Sequence, residues 1–194
     1  RSELINIFKN KKILNLILFG TMPIIIVGFI LYNFELIYQL RNLKLIASTT
    51  LIFGILLYFV DKRPISNNIN QNLNFKNIIA FGIFQILSLI PGVSRSGIVI
   101  TACRIYKFNR IDAAKISFYL SIPALTGASI LGLNNALEEN IEINLPIILS
   151  TFFSFIFSYL TIRFLIFYLK SFSLNLFVYY RILLALALFL IAYR

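Results

Sequence analysis

Apolar residues run in long blocks along this chain, and short polar stretches separate them. Blocks at 13–32, 43–60, 113–133, 145–168 and 176–193 lie close to or above the roughly 20 residues that an α-helix needs to cross about 30 Å of hydrocarbon. Pro23 interrupts the first block, which membrane helices tolerate when neighbours satisfy the freed carbonyl. The polar connections are 33–40, an asparagine-rich stretch at 61–74 containing Pro64, and 134–144 with Glu138, Glu139 and Glu142. Two further apolar segments, 75–90 and 98–106, are too short to span comfortably, and Pro91-Gly92 breaks the chain between them. A helix, a break at depth and a second short helix describe a re-entrant hairpin over about 75–106. The pattern therefore predicts an all-α integral membrane protein with five transmembrane helices and one re-entrant helical hairpin, in a single polytopic domain over 1–194. Ala124, Ala128 and Gly132 recur every four residues, a small-residue stripe that predicts close approach of a neighbouring helix.

Composition agrees with that class. The chain is 59% hydrophobic and 13% charged, with a mean hydropathy of +0.88, which no ordinary soluble domain shows. A net charge of +11 raises the question of nucleic acid. The basic residues fall in the loops between spans, however, where they act as topology determinants, and no nucleic-acid partner is expected. With the hairpin returning to its own side, the segments 1–12, 61–76 and 104–115 and Lys170 share one face and hold most of the 18 basic residues. That face is expected in the cytoplasm and the C-terminus outside it. The single Cys103 excludes an internal disulfide, and the absence of histidine excludes His-based nucleophile activation.

The chemistry concentrates in Pro91-Gly92-Val93-Ser94-Arg95-Ser96-Gly97. A guanidinium between two hydroxyls at membrane depth is costly unless an anion compensates it. Two glycines let the backbone turn and approach a ligand, and a helix starting near Ser96 would aim free N–H groups at the same place. The stretch reads as a phosphate cradle. All seven acids, Glu3, Glu35, Asp61, Asp112, Glu138, Glu139 and Glu142, lie outside the apolar cores, so no metal ligands are assigned. Simpler roles go to other residues. Gln85 suits a hydrogen bond between helices as well as a ligand contact, Arg163 and Arg181 read as side chains snorkelling to the interface, and Ser117 and Cys103 read as packing.

The run from Gln85 to Gly97 resembles the second signature of the bacterial undecaprenyl-diphosphate phosphatase family. The resemblance continues through Ala113-Ala114-Lys115-Ile116-Ser117-Phe118-Tyr119-Leu120-Ser121-Ile122-Pro123-Ala124 and returns at Phe177 and Tyr180-Arg181. It implies two inverted repeats whose re-entrant hairpins meet near the midplane of the bacterial plasma membrane. It also implies removal of the terminal phosphate from the C55 isoprenyl diphosphate, which recycles the lipid carrier of cell-wall synthesis, with tolerance to bacitracin. On the matching positions, Arg95 and Ser94 are the expected catalytic residues, and Ser94, Arg95, Ser96, Gly97 and Gln85 the expected substrate-binding set. A divalent cation, Mg²⁺ or Ca²⁺, is implied as cofactor with no ligands in this chain. The polyprenyl diphosphate and the bilayer are the expected partners, and a homodimer is left open. Two departures stand out. The family's first signature, rich in glutamate with serines and a histidine, has no counterpart here, so an N-terminally incomplete member, its activity alone left open, is expected. Val99 also stands where the family commonly carries a threonine. A polyprenyl-phosphate flippase or transporter using the same cradle is the alternative reading.

Overall fold

The computed structural model describes residues 11–34, 40–139 and 144–193. Glu3, Glu35, Glu142, Arg194 and the basic stretch 1–10 lie outside the described residues. The helices are α1 (Lys11–Asn33), α2 (Leu43–Asp61), α3 (Phe75–Ile86), α4 (Arg95–Ile105), α5 (Arg110–Glu138), α6 (Leu145–Leu169) and α7 (Asn175–Ala192). A single helical turn, Ile69–Asn72, precedes α3, and a 3₁₀ turn, Leu87–Leu89, follows it. Among the described residues no strand occurs. Helices α1, α2, α5, α6 and α7 are long and apolar enough to cross a bilayer. The protein is thus an all-α, multi-pass membrane protein. Its outward faces carry large apolar side chains such as Phe155, Phe167 and Leu190, which lipid tails accommodate and water would not.

Asparagine starts several of the helices. Asn42, Asn74, Asn109 and Asn144 are the N-caps of α2, α3, α5 and α6, each accepting a backbone N–H with its side chain. Each such cap is worth about 1 kcal/mol to its helix. At Asn109 the cap moves the start of α5 to Arg110, three residues ahead of the apolar block. At its other end α5 runs to Glu138, through what the sequence reads as a loop. Tyr32 Oη donates to Asn135 Oδ1 at 2.7 Å and helps hold that polar extension against α1. Pro23 and Pro123 both lie inside helices, so the carbonyls of Phe19 and Tyr119 lose their intrahelical donors.

The hairpin consists of α3, its 3₁₀ extension, the Pro91-Gly92 turn and α4. Its arms hold 12 helical residues plus 3, and 11. At 1.5 Å per residue these reach about 16–22 Å, well short of a 30 Å core. The chain returns to where it started. The N–H groups of Ser66 and Asn67 donate to the Lys107 carbonyl at 3.0 and 3.1 Å, and Asn109 N–H donates back to the Asn67 carbonyl at 3.3 Å. Phe81 on α3 meets Tyr106 and Phe108, beyond the end of α4, edge-on at 5.4 and 5.7 Å between ring centroids. Lys107 ends α4 in the left-handed conformation, φ 62°. Phe108 N–H donates to Cys103 O and Lys107 N–H to Arg104 O, both at 3.0 Å. This is a Schellman closure with lysine at the position glycine usually takes.

Two charged residues differ from their sequence reading. Arg104 is grouped there with the loop cations, and Asp61 with a solvated loop. In the structure Arg104 is 1% exposed and Asp61 3%. The Arg104 guanidinium donates to the carbonyls of Phe108, Asp61 and Arg63 at 2.6, 2.8 and 2.5 Å. Asp61 Oδ1 accepts from Arg110 Nε at 2.8 Å, and Asp61 Oδ2 from Leu174 N–H at 3.2 Å. One buried ion network therefore joins the end of α2, the base of the hairpin and the start of α7. Arg104 holds backbone carbonyls there.

Helix α3 lies against α1 at a glycine-to-glycine crossing. A Cβ added to Gly82 would collide with the Gly20 carbonyl, so no larger residue permits this approach. Helix α7 lies along α2, and α4 along α5. Helix α6 is peripheral, with Leu169 its buried residue.

Candidate functional site

The tip of the hairpin is built from backbone first. Val93 N–H donates to the Ile90 carbonyl at 3.2 Å, and Gly92 adopts φ 89°, a region open to glycine and strained for other residues. Ser94 is in extended backbone and caps α4, its Oγ accepting from Gly97 N–H at 3.1 Å. Its carbonyl accepts from Ile98 N–H at 2.9 Å. The Ser94 and Ser96 hydroxyls stand 3.4 Å apart. The predicted helix start is therefore real, and Arg95 is the first residue of α4. The free N–H groups of that first turn and the positive end of the helix dipole accompany the guanidinium.

The carbonyls of the turn are tied from behind. Thr49 Oγ1 donates to Pro91 O at 2.7 Å and Thr50 Oγ1 to Gly92 O at 3.3 Å. Arg181, on α7, donates from Nη2 to Gly92 O at 2.9 Å and from Nε to Thr50 O at 3.4 Å. A Cβ built on Gly97 would lie 3.0 Å from Arg181 Nη1, which places this second guanidinium directly against the first turn of α4. Arg181 is 8% exposed. It is a buried support of the site, not a side chain snorkelling to the interface, and its fixed carbonyl partners explain the difference. The signal was present in the sequence: an ionisable residue within a transmembrane segment is a functional candidate by default. Thr49 and Thr50 carried no such signal. Ser117 does more than pack, since its Oγ donates to the Ser96 carbonyl at 3.3 Å and joins the cradle to α5. Cys103 is fully buried, as expected.

Arg95 opens into a cavity of about 510 Å³ between α1, α5 and the hairpin. Ile24, Gly28 and Phe29 line one wall, Ala124, Ala128 and Gly132 another, with Leu89 and Arg95 from the hairpin. The small-residue stripe thus makes room for the cavity. A Cβ at Gly132 would have nothing within 4 Å, so the close helix approach expected there is not what the stripe provides. Among the described residues the Arg95 guanidinium has no hydrogen-bond or ion-pair partner. A larger groove of about 980 Å³ on the outer face of α6 has only apolar and hydroxyl side chains along it, and offers no group for chemistry.

Of the expected site residues, the structure gathers Ser94, Arg95, Ser96 and Gly97 at one helix start. Gln85 sits in the opposite arm, fully buried. The hydrogen bond between helices considered for it is not formed among the described residues. Val99, at the position where a threonine was expected, is buried in the core, and Thr101 donates to the Gly97 carbonyl at 2.8 Å. Thr101 therefore supplies no free hydroxyl in its place.

Comparison with known proteins adds a family. The model of the family described as Bacitracin resistance protein BacA matches residues 3–187. An undecaprenyl-diphosphatase of Pelagibacter ubique (strain HTCC1062) is 50% identical over 195 residues, which cover 100% of this chain and 76% of that relative. The undecaprenyl-diphosphatases of Elusimicrobium minutum (strain Pei191) and Aliivibrio salmonicida (strain LFI1238) are each 38% identical over 181 residues, covering 93% of this chain and 68% and 67% of theirs.

Proposed function

This chain belongs to the bacitracin resistance protein BacA family, and from that membership and the site's geometry we propose that it is an integral membrane undecaprenyl-diphosphatase. Water displaces undecaprenyl monophosphate from the terminal phosphorus, releasing inorganic phosphate. One observation carries the reading: the Arg95 guanidinium, which has no counter-ion among the described residues, stands at a capped helix start and faces a largely apolar cavity. The cavity suits an isoprenoid, and the guanidinium suits the diphosphate at its end.

The geometry supports the following roles. Arg95 presents parallel N–H donors to two phosphoryl oxygens. The hydroxyls of Ser94 and Ser96 and the N–H groups of the α4 start donate to the same oxygens. These groups are fixed before substrate arrives, so they stabilise the charge spreading over the transferred phosphoryl group without reorganising. Arg181, Thr49 and Thr50 hold the turn's carbonyls back and keep the phosphate away from them.

The described residues do not fit the divalent cation that the resemblance implies. Among them no cluster of three metal-ligating side chains occurs. Asp61 is engaged by Arg104 and Arg110, and Asp112 Oδ2 accepts from Ile69 N–H at 2.9 Å and Asn109 Nδ2 at 2.8 Å. The roles above depend on the guanidinium, hydroxyl and amide groups alone.

The test is phosphate release from undecaprenyl diphosphate by the full-length protein in nanodiscs, with Mg²⁺ or Ca²⁺ supplied and then chelated. Release is expected. A protein that moves the lipid between leaflets and releases no phosphate overturns the enzyme in favour of a carrier.

The reading extends to the bacterial plasma membrane, with the basic face in the cytoplasm and the C-terminus outside. Removing buried Arg104 from the loop count leaves that face basic through Lys62, Arg63, Lys107, Arg110 and Lys115. Asn68→Cys and Glu139→Cys are expected to label from opposite sides of the membrane, with buried Cys103 silent. Labelling of both from one side contradicts the arrangement.

A further inference from the structure

We infer that Arg41 is a second phosphate-handling residue, standing at the mouth of the cavity whose inner end Arg95 occupies; the inference rests on the phosphatase reading above. The cavity lies between α1 and α5, and its lining runs from Ile24 to Tyr32 on α1 and from Ala124 to Asn135 on α5. At 1.5 Å per residue these stretches measure about 12 and 17 Å. Ser96, beside Arg95, is bonded to Ser117, which precedes Ala124 on α5, so Arg95 enters the cavity at one end. Tyr32 and Asn135 line the other, together with Arg41 from the connection that follows α1.

The two ends differ from what lies between them. Gly28, Phe29, Gly127, Ala128, Leu131 and Gly132 bring no polar side-chain group to the walls. Arg41 and Arg95 are the charged side chains along the cavity, and no carboxylate is among its described lining residues. The mouth is also held in place. Tyr32 Oη donates to Asn135 Oδ1 at 2.7 Å and joins the two walls there, a bond that leaves the Asn135 amide hydrogens available to a ligand. Arg41 directly precedes Asn42, the N-cap of α2. The Asn42 N–H donates to the Leu40 carbonyl and its side chain accepts from Lys44 N–H, both at 2.9 Å. The backbone that carries Arg41 is therefore fixed on both sides.

The reaction brings phosphate groups to this end. Undecaprenyl monophosphate can leave sideways into the bilayer along its own chain. Inorganic phosphate has no apolar part and must reach water, and the diphosphate headgroup must come in from water. At the mouth both present the same oxygens, which a guanidinium and an amide N–H serve. A positive charge where a low-dielectric cleft meets water concentrates anions there, and salt screens the effect. Arg41 thus acts on passage, and Arg95, deeper in, on the bond that breaks.

The test compares Arg41→Gln and Arg41→Lys with wild type, each as the full-length protein in nanodiscs of zwitterionic lipid. Phosphate release from undecaprenyl diphosphate is followed at about 0.01 M and about 0.5 M salt, where screening is weak and strong. For Arg41→Gln, kcat/KM is expected to fall about fivefold at low salt and to approach the wild-type value at high salt, with kcat falling less. Arg41→Lys is expected to recover most of the loss, because attraction at a distance needs the charge and not the planar fork. Added inorganic phosphate separates the two sources of the group. Weaker inhibition of Arg41→Gln than of wild type assigns Arg41 to the leaving product; unchanged inhibition with lowered kcat/KM assigns it to the entering headgroup. A loss that is equal at both salt concentrations, or that comes with a lower melting temperature, means that Arg41 only holds its own connection, and overturns the inference. Unchanged kcat/KM with unchanged inhibition overturns it too. Failure of the phosphatase reading shows elsewhere, as wild-type protein that releases no phosphate. Ligand-dependent melting with inorganic pyrophosphate then decides about the mouth: weaker stabilisation of Arg41→Gln supports it, and equal stabilisation overturns it.

Discussion

Arg95→Ala is expected to lower phosphate release by about 10³-fold or more, the scale set by removal of a single charge-stabilising donor or arginine in acyl and phosphoryl transfer. The same substitution should leave the melting temperature of the empty protein unchanged or higher, because the guanidinium has no partner to lose among the described residues. That separation marks a residue held for the reaction and not for the fold. Arg95→Lys keeps the charge and loses the planar pair of donors, so it should recover only a small part of the rate. Steady-state release from undecaprenyl diphosphate, alongside thermal melting in nanodiscs, measures both. Turnover within tenfold of wild type in both variants would remove the guanidinium from the mechanism.

The second large effect is expected at Gly92. Its φ of 89° costs an alanine about 1–3 kcal/mol by itself. A Cβ there would also collide with Thr49 Oγ1 and stand 2.5 Å from the Ile46 carbonyl oxygen and 3.1 Å from Ile46 Cα. Two of these three atoms are backbone of α2, which cannot step aside without pulling on α7. Gly92→Ala is therefore expected to destabilise the protein by about 3 kcal/mol or more and to remove most turnover, because the carbonyl that Thr50 and Arg181 hold moves with it. Gly132→Ala is the control. It has open space around its Cβ position, and a melting temperature equal to or above wild type is expected there. A Gly92→Ala protein that melts and turns over like wild type would show that the turn is not rigid.

The spans were legible in the sequence because bilayer thickness converts directly into a length of apolar residues, and each helix lies within a few residues of its block. The hairpin was legible because 75–90 and 98–106 fall short of that length and a Pro-Gly pair stands between them. Ser94, Arg95, Ser96 and Gly97 were legible because they are adjacent in the chain and belong to one helix start. What escaped depends on partners distant in sequence. Arg104 looks like any loop cation until Asp61 and the Arg63 carbonyl are folded against it. Arg181 looks like an interfacial anchor until Thr50 and Gly92 supply fixed carbonyls. Ala124, Ala128 and Gly132 have a spacing that serves a helix contact and a cavity wall equally, and only the position of α1 decides between them. The ends of α5 escaped for a simpler reason: hydropathy marks the hydrocarbon, and this helix continues into the polar layer on both sides.

The links behind the turn also set an order in which the site can be made. Those closing the base of the hairpin, between Asn67 and Lys107 and between Asp61 and Arg104, join residues about 40 apart, whereas Arg181 reaches back 131 positions to Thr50 and 89 to Gly92. During synthesis, which runs from the N-terminus, the hairpin can therefore close on itself while α7 is still unmade. Until that helix arrives, the Gly92 carbonyl has Thr50 alone to hold it. A nascent chain carries Ser94, Arg95 and Ser96 long before it carries their support, and the cradle becomes rigid only once α7 has been made.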